Sequence, residues 1–272
     1  MPSVRSFLVR GLLAGLVAGL AAFAVAYVVG EPSLGAAIGL EDAASAAGAH
    51  SHAAGEGHAA GEGHAVGEGH AAGTVVPRAL QSTLGLATGT LIAGVTLGGL
   101  LGVLSALVLG RLGSAGPRST ALLLAGVGLV AAQLVPFWAY PPNPPGVGTE
   151  ATLGLRTSLY FLLLAISVLA AVAAVLTGRA LHRRWGAWYA GLAAVAAYLL
   201  LVCATMALLP GFDEVPASYP ATLLFDFRMA SLLTSVTLWA VLGVTLAELL
   251  ARLVRRPGVG SPAPAPLVRS GG

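Results

Sequence analysis

Histidine and glutamate recur together in a six-residue repeat in the first third of the chain. The repeat reads Ala-Ala-Gly-Glu-Gly-His twice and then Ala-Val-Gly-Glu-Gly-His. With two histidines just before it, this stretch offers the side chains His50, His52, His58, His64, His70, Glu56, Glu62 and Glu68. Imidazole and carboxylate groups are ligands of divalent first-row metals. The stretch therefore predicts a segment that captures metal ions.

The glycines beside each of these ligands limit how selective the segment can be. A metal that binds there must also order the backbone, which costs free energy. We therefore expect modest and exchangeable capture, with copper favoured by the Irving–Williams order. The alternative interpretation is a low-complexity spacer that expanded by repetition and has no role in metal binding.

A second candidate metal site lies in a later segment that is rich in proline. Asp213 and Glu214 occur within residues 210–216, where prolines restrict the backbone. Carboxylates suit hard or borderline cations, so these two side chains are candidates for a formed site. Asp226 lies nearby in the sequence. The alternative is that these acids are simply solvated, or that Asp226 pairs with Arg228.

Little other chemistry is visible in the sequence. Gln133 lies in an apolar segment, where it either has a functional role or forms interhelical hydrogen bonds. The chain has no lysine, which excludes the P-loop lysine of an ATP-binding motif, and its only cysteine is Cys203. We recognise no motif for hydrolysis, phosphoryl transfer or redox chemistry. We expect no enzymatic activity, no resident cofactor and no nucleic-acid partner.

The elements that carry these side chains are hydrophobic segments. Hydrophobic residues make up 57% of the chain and charged residues only 9%. A stretch of about 20 apolar residues spans a bilayer, and the absence of water there favours helices. We predict an all-α, polytopic helical membrane protein. Its six transmembrane helices are expected at residues 7–29, 84–110, 120–138, 159–177, 187–209 and 230–250.

The first segment also resembles a signal peptide, whose cleavage would leave five helices. Its length and the glycines on one face, Gly11, Gly15 and Gly19, favour a retained helix. In the second segment, small residues predict close helix packing at Gly85, Gly89, Gly94, Gly98 and Gly102.

Charge predicts the orientation of the helices. If six segments alternate, 11 arginines fall on the side of the termini and three on the other side. By the positive-inside rule, both termini face the cytoplasm and the His-rich loop faces out of the plasma (inner) membrane. We divide the chain into a transmembrane domain, 1–256, with an extracytoplasmic His/Glu/Gly-rich loop, 31–78, inserted in it. Residues 257–272 are expected to be a disordered cytoplasmic tail.

Arginine recurs at the mouth of three helices, because Arg78, Arg156 and Arg228 each follow an outer loop. Transporter folds are often built from repeated units with binding sites at their interface. We interpret the recurrence as three repeated helical hairpins, parallel in topology, around a shared centre.

Several motifs in order along the chain resemble one family. They are Gly30-Glu31-Pro32, Pro77-Arg78 with Gln81, Pro136-Phe137, the run Leu-Pro-Gly-Phe-Asp-Glu-Val-Pro at 209–216, and Phe-Asp-Phe-Arg-Met-Ala-Ser-Leu from Phe225. With them the chain resembles CbtA, the predicted cobalt transporter subunit, over nearly its whole length apart from the His repeat and the tail.

This resemblance implies cobalt uptake, often linked to cobalamin synthesis, by a permease subunit in the lipid bilayer. It also implies a small single-helix companion of the CbtB type, and it leaves homo-oligomer formation open. The transported ion is then Co²⁺. The alternatives are a permease for Ni²⁺ or Zn²⁺, or a non-transporting membrane scaffold or metal-sensing partner.

Overall fold

The computed structural model describes residues 3–53, 77–111 and 115–255, and its regular elements there are all helical. Eight α-helices follow one another: α1 Val4–Val25, α2 Glu31–Ala53, α3 Arg78–Leu80, α4 Leu86–Val108, α5 Pro117–Gly128, α6 Val135–Ala139, α7 Glu150–Leu208 and α8 Ala221–Arg255. Three π-helical turns, Ala26–Gly30, Gln81–Gly85 and Leu129–Leu134, join α1 to α2, α3 to α4 and α5 to α6.

Five helical runs in the described residues are long and apolar enough to cross a membrane. One of them, α7, has 59 residues and is interrupted at Gly186, whose backbone has φ 74° and ψ 170°. The hydroxyl groups of Ser167 and Tyr198 lie 2.9 Å apart, so the two halves of α7 run side by side as a hairpin. Six membrane-spanning helices result, and the predicted fold class is confirmed.

The core is a bundle of α1, α4, α5 and α8. Helix α1 packs against both α4 and α8, and α5 packs on α8. Leu242, Leu246 and Leu250 recur every four residues on α8 and are completely buried, as expected for a face that points into a helical core. The α7 hairpin lies outside this bundle and contacts the α5–α6 segment.

Glycines bring α1 and α4 into close contact. A Cβ atom at Gly11 or Gly15 would overlap the carbonyl oxygen of Gly98 or Gly94, respectively. Without side chains between them, the two backbones touch, which replaces the hydrophobic effect as a source of attraction in lipid. We call this contact the glycine seam. The predicted packing is confirmed here, whereas Gly89 and Gly85 lie outside the seam.

The first helix does not end where its proline predicts. The chain continues from α1 through a π-helical turn into α2, so helix occupies 31–53 of the predicted loop. A proline inside a helix lacks the N–H donor and crowds the preceding turn. A π-helical turn shifts the hydrogen-bond register, and one such turn ends two residues before Pro32 and another two residues before Pro136. This wider turn lets the helix pass the proline.

The three predicted hairpins are found only in part. The first is formed by α1 and α4, which pack along the glycine seam. In the third, α8 buries its apolar face against α1 and α5, and the described residues show no extensive packing of α7 on α8. The second half of α7 packs on the first half, so the hairpins do not share one centre.

Candidate functional site

The two ends of the bundle carry opposite charge. We call the end with loops 140–149 and 209–220 the loop end, and the opposite end, with the turn at 109–111 and with Gly186, the arginine end. The described part of the loop end has seven acidic side chains and three arginines. The described part of the arginine end has nine arginines and one acid, Glu248. Such a field attracts cations to the loop end.

The three arginines at the loop end each bind a polar group on another segment. Arg78 forms an ion pair with Glu31 of α2, which joins the two ends of the first loop. Arg156 Nη1 of α7 lies 3.3 Å from a carboxylate oxygen of Glu214. The recurring arginines therefore connect the outer loops to other segments at three positions.

Arg228 has a partner that the sequence did not indicate. Its Nη2 donates a hydrogen bond of 2.9 Å to Oδ1 of Asn143 in the preceding outer loop. No ion pair between Asp226 and Arg228 is found among the described residues. Asp226 therefore keeps its charge free for another partner.

Glu214 is the most strongly engaged acid of the loop end. Its carboxylate accepts a hydrogen bond of 3.1 Å from the backbone N–H of Thr149 and is only 12% exposed. The pKa of Glu214 is lowered by a hydrogen bond from the Thr152 side chain, by the Thr149 N–H and by the nearby charge of Arg156. Glu214 thus remains ionised and joins the third loop to the second.

Asp213 differs from its neighbour. In the described part of the chain it has no hydrogen bond and no ion pair. The two residues that the sequence grouped as one candidate site therefore have different roles. Glu214 is held by the protein, and Asp213 is available to a ligand.

The second and third loops pack into one cap. The Tyr140 hydroxyl donates to the Pro210 carbonyl at 3.1 Å, and its ring lies 6.1 Å from that of Phe212. Gly148 has φ 106°, and a Cβ there would lie 2.7 Å from Nη2 of Arg156. Glycine is therefore needed at this position, both for the backbone conformation and for the approach of Arg156.

A cavity of about 510 Å³ lies beside this cap, between the first turns of α2 and the start of α8. Its walls are mostly apolar, with a carboxylate from Asp226, a thioether from Met229 and a hydroxyl from Ser33. Ser33 donates that hydroxyl to the Gly30 carbonyl in the π-helical turn. Carboxylate and thioether groups are both metal ligands, so the cavity has the chemistry to bind a cation transiently.

The other predicted ligands are placed as follows. His50 and His52 belong to the last turn of α2. The repeat ligands His58, His64, His70, Glu56, Glu62 and Glu68 lie outside the described residues. Gln133 lies in the π-helical turn 129–134, partly buried. Within residues 3–53, 77–111 and 115–255, no group of three or more His, Cys, Asp or Glu side chains is close enough to hold a metal ion.

Sequence reasoning missed the residues that hold the cap. Asn143, Thr149 and Thr152 bind charged groups from other segments, but nothing in their own type or spacing distinguishes them from ordinary loop residues. Gly148 was detectable, because it belongs to a Pro-Gly-Val-Gly run. Met229 was detectable only as part of the motif that begins at Phe225.

Comparison with known proteins gives one match. A protein-family model described as "Probable cobalt transporter subunit (CbtA)" matches residues 4–251. No curated protein and no solved structure matches the chain. The matched range extends from the start of α1 into the last turns of α8, and it includes the cap and the cavity beside it.

Proposed function

We propose that this chain, which belongs to the CbtA family, is a permease subunit that carries a divalent metal cation, cobalt, into the cell. The observation that carries this proposal is the family match over residues 4–251. A transporter subunit implies at least one partner, and the resemblance makes that partner a small single-helix protein of the CbtB type. The transported Co²⁺ is the substrate, and we propose no enzymatic step.

The loop end is the proposed entrance. It faces outward if the arginine end lies in the cytoplasm, as the positive-inside rule predicts. Arg78 and Arg156 do not repel an arriving cation strongly, because Glu31 and Glu214 neutralise them. The unpaired Asp213 then attracts the ion to the cap.

Asp226 is the proposed next contact, because its carboxylate lines the cavity below the cap together with Met229. The His/Glu repeat collects ions ahead of this entrance and is not a selective site. A negative-inside potential favours inward movement by about 4.6 kcal/mol for two charges across 100 mV. Uptake therefore requires no ATP in principle.

Flux of radiolabelled cobalt into proteoliposomes tests the proposal. We expect uptake with a negative-inside potential when this chain is reconstituted with its partner. The absence of uptake both with and without the partner would contradict the permease function and favour a scaffold or sensor. Equal inhibition by nickel or zinc would contradict the cobalt assignment.

A substitution of Asp226 tests the role of this residue separately. We expect Asp226→Asn to reduce cobalt uptake at least several-fold, because Asp226 is the only charged side chain among the described residues that line the cavity. The matched control is Glu150→Gln, which removes a loop-end charge outside the cavity and is expected to leave uptake nearly unchanged. Equal effects of both variants would show that the overall charge of the loop end matters and that the cavity does not.

A further inference from the structure

A crevice of about 1020 Å³ opens at the arginine end, far from the proposed entrance. It lies between α5, with the π-helical turn that follows it, and both halves of the α7 hairpin. Its walls are formed mainly by aliphatic side chains and small residues, among them Leu122, Val127, Val130, Val175, Val195 and Leu199. None of the described residues that line it is acidic. It is an apolar space of a size that lipid or protein must fill in a membrane.

The depth of the crevice corresponds to one leaflet of a bilayer. Its α7 wall extends from Arg183 back to Ala171. At 1.5 Å per residue this is roughly 18 Å. One leaflet contributes about 15 Å to a hydrocarbon core of about 30 Å. A molecule with a polar head at the arginine end and acyl chains along the walls fits this depth.

The mouth of the crevice is basic. Arg111, Arg179, His182 and Arg183 line it. Arg111 donates to the Leu107 carbonyl of its own helix. Arg179 and Arg183 have no ion pair and no hydrogen bond in the described part of the chain. Two guanidinium groups are thus left without a counter-charge directly above an apolar slot.

We propose that this crevice binds an anionic phospholipid, with its acyl chains between α5 and α7 and its phosphate at Arg179 and Arg183. Basic pockets between transmembrane helices bind anionic headgroups, and guanidinium groups match the geometry of phosphate oxygens. The lipid phosphate supplies the negative charge that Arg179 and Arg183 lack among the described residues.

Native mass spectrometry of the purified full-length chain tests the site. The protein in detergent is mixed with equal amounts of palmitoyl-oleoyl phosphatidylglycerol and the corresponding phosphatidylcholine. We expect one phosphatidylglycerol to be retained in preference. The double variant Arg179→Gln/Arg183→Gln should weaken that binding about 30-fold, from about 1 kcal/mol for each arginine near a lipid headgroup. The matched control, Arg184→Gln/Arg255→Gln, removes two charges at the same end outside the crevice and should retain the lipid.

Substitutions at two glycines test the apolar part of the crevice separately from its arginines. Gly126 and Gly191 line the crevice, and a Cβ at either position meets nothing within 4 Å. Gly126→Leu and Gly191→Leu therefore fill the slot without disturbing a helix contact, and we expect both to displace the lipid. Gly154→Leu also enters open space on α7, outside the crevice, and should bind lipid normally.

Four results would overturn the proposal. The first is equal retention of the two lipids by the original chain, and the second is an equal loss of lipid binding in the arginine control. The third is unchanged lipid binding in the two leucine variants. The fourth is displacement of the lipid by a co-purified partner helix that cross-links to Val127. Monodisperse elution and an unchanged unfolding temperature of each variant show that it is folded. This site is independent of the proposed transport function, because it is measured without any metal.

Discussion

At the scale of single residues, the loop end separates charges that hold the structure from charges that remain available. Glu214 and Glu31 each neutralise an arginine from another segment, whereas Asp213 and Asp226 have no partner in the described residues. The first pair fastens the loops around the proposed entrance. The second pair leaves two carboxylates available to a cation in the proposed path.

Substitutions of the neighbours Asp213 and Glu214 are therefore expected to differ in their effects on stability and on uptake. We expect Glu214→Gln to lower the unfolding temperature, because it removes the ion pair with Arg156. Asp213→Asn should leave the unfolding temperature unchanged and raise the cobalt concentration for half-maximal uptake. Thermal unfolding in detergent and proteoliposome flux check the two effects. A destabilised Asp213→Asn protein would contradict the division of roles.

The lowered pKa of Glu214 also predicts a pH dependence. Its stabilising contribution is fully present above the ordinary pKa of 4.5 and is lost as pH falls through the lower value of the folded protein. The unfolding temperature of the original chain should therefore fall more steeply with acidification, below about pH 4.5, than that of Glu214→Gln. Parallel curves for the two proteins would show that this carboxylate does not contribute.

The partners of these residues were not predictable from sequence. The recurrence of Arg78, Arg156 and Arg228 at helix mouths indicated three equivalent positions. Their partners are a glutamate on each of two different segments and an asparagine. Such pairs depend on how the loops fold together, and a loop asparagine such as Asn143 gives no local signal of that arrangement.

At the scale of helices, the glycine seam sets the distance between α1 and α4. Gly98→Leu should destabilise the protein by about 3 kcal/mol or more, because its side chain would overlap the backbone at Gly11 and Gly15. Gly89→Leu on the same helix meets nothing within 4 Å and should change stability by less than about 1 kcal/mol. Unfolding in detergent with increasing denaturant measures both, and equal stabilities would contradict the role of the seam.

The His/Glu segment gives a second prediction for an element. Deleting residues 50–70 should raise the cobalt concentration for half-maximal uptake several-fold and leave maximal uptake nearly intact, since we propose that the segment concentrates ions ahead of the entrance. The deletion also shortens the loop. The matched control therefore replaces the histidines of 50–70 by glutamine, which keeps the length of the segment constant. Complete loss of transport after the deletion would make the segment part of the essential path.

The helices themselves were largely predictable, because their length and composition are dictated by the bilayer. The seam was predictable from glycines spaced by four residues. The continuation of α1 into α2 was not, since Gly30 and Pro32 are signals that end most helices. A π-helical turn precedes the proline and packs against α8, and sequence spacing does not reveal that contact.

At the scale of the whole molecule, the charges at the two ends predict the orientation in the membrane. In a Cys203→Ala background, Asp42→Cys should react with an impermeant maleimide in intact cells. Arg184→Cys should react only after the membrane is permeabilised, because the positive-inside rule predicts that the arginine end faces the cytoplasm. If the Arg184→Cys protein were labelled in intact cells and the Asp42→Cys protein were not, the topology would be the opposite of the predicted one. The proposed entrance would then face the cytoplasm.

The arrangement of hairpins was the least predictable feature. A repeat of arginines implied three equal units, but α8 has an apolar face wide enough to pack on both α1 and α5. Among the described residues, the second half of α7 packs mainly on its own first half. Which helices pack together depends on the shapes of their whole surfaces, and short sequence matches do not reveal those shapes.

The position of the α7 hairpin has a consequence for motion. Two helices whose backbones touch along glycines cannot slide or tilt without losing that contact, so α1, α4 and the helices packed on them form a fixed frame. Among the described residues, the helix packing of the α7 hairpin on the rest of the protein is mainly on the α5–α6 segment. Alternating access in transporters proceeds by rocking one rigid part against another. We therefore expect the α7 hairpin, which packs on the π-helical turn 129–134, to move more readily than the pair of α1 and α4.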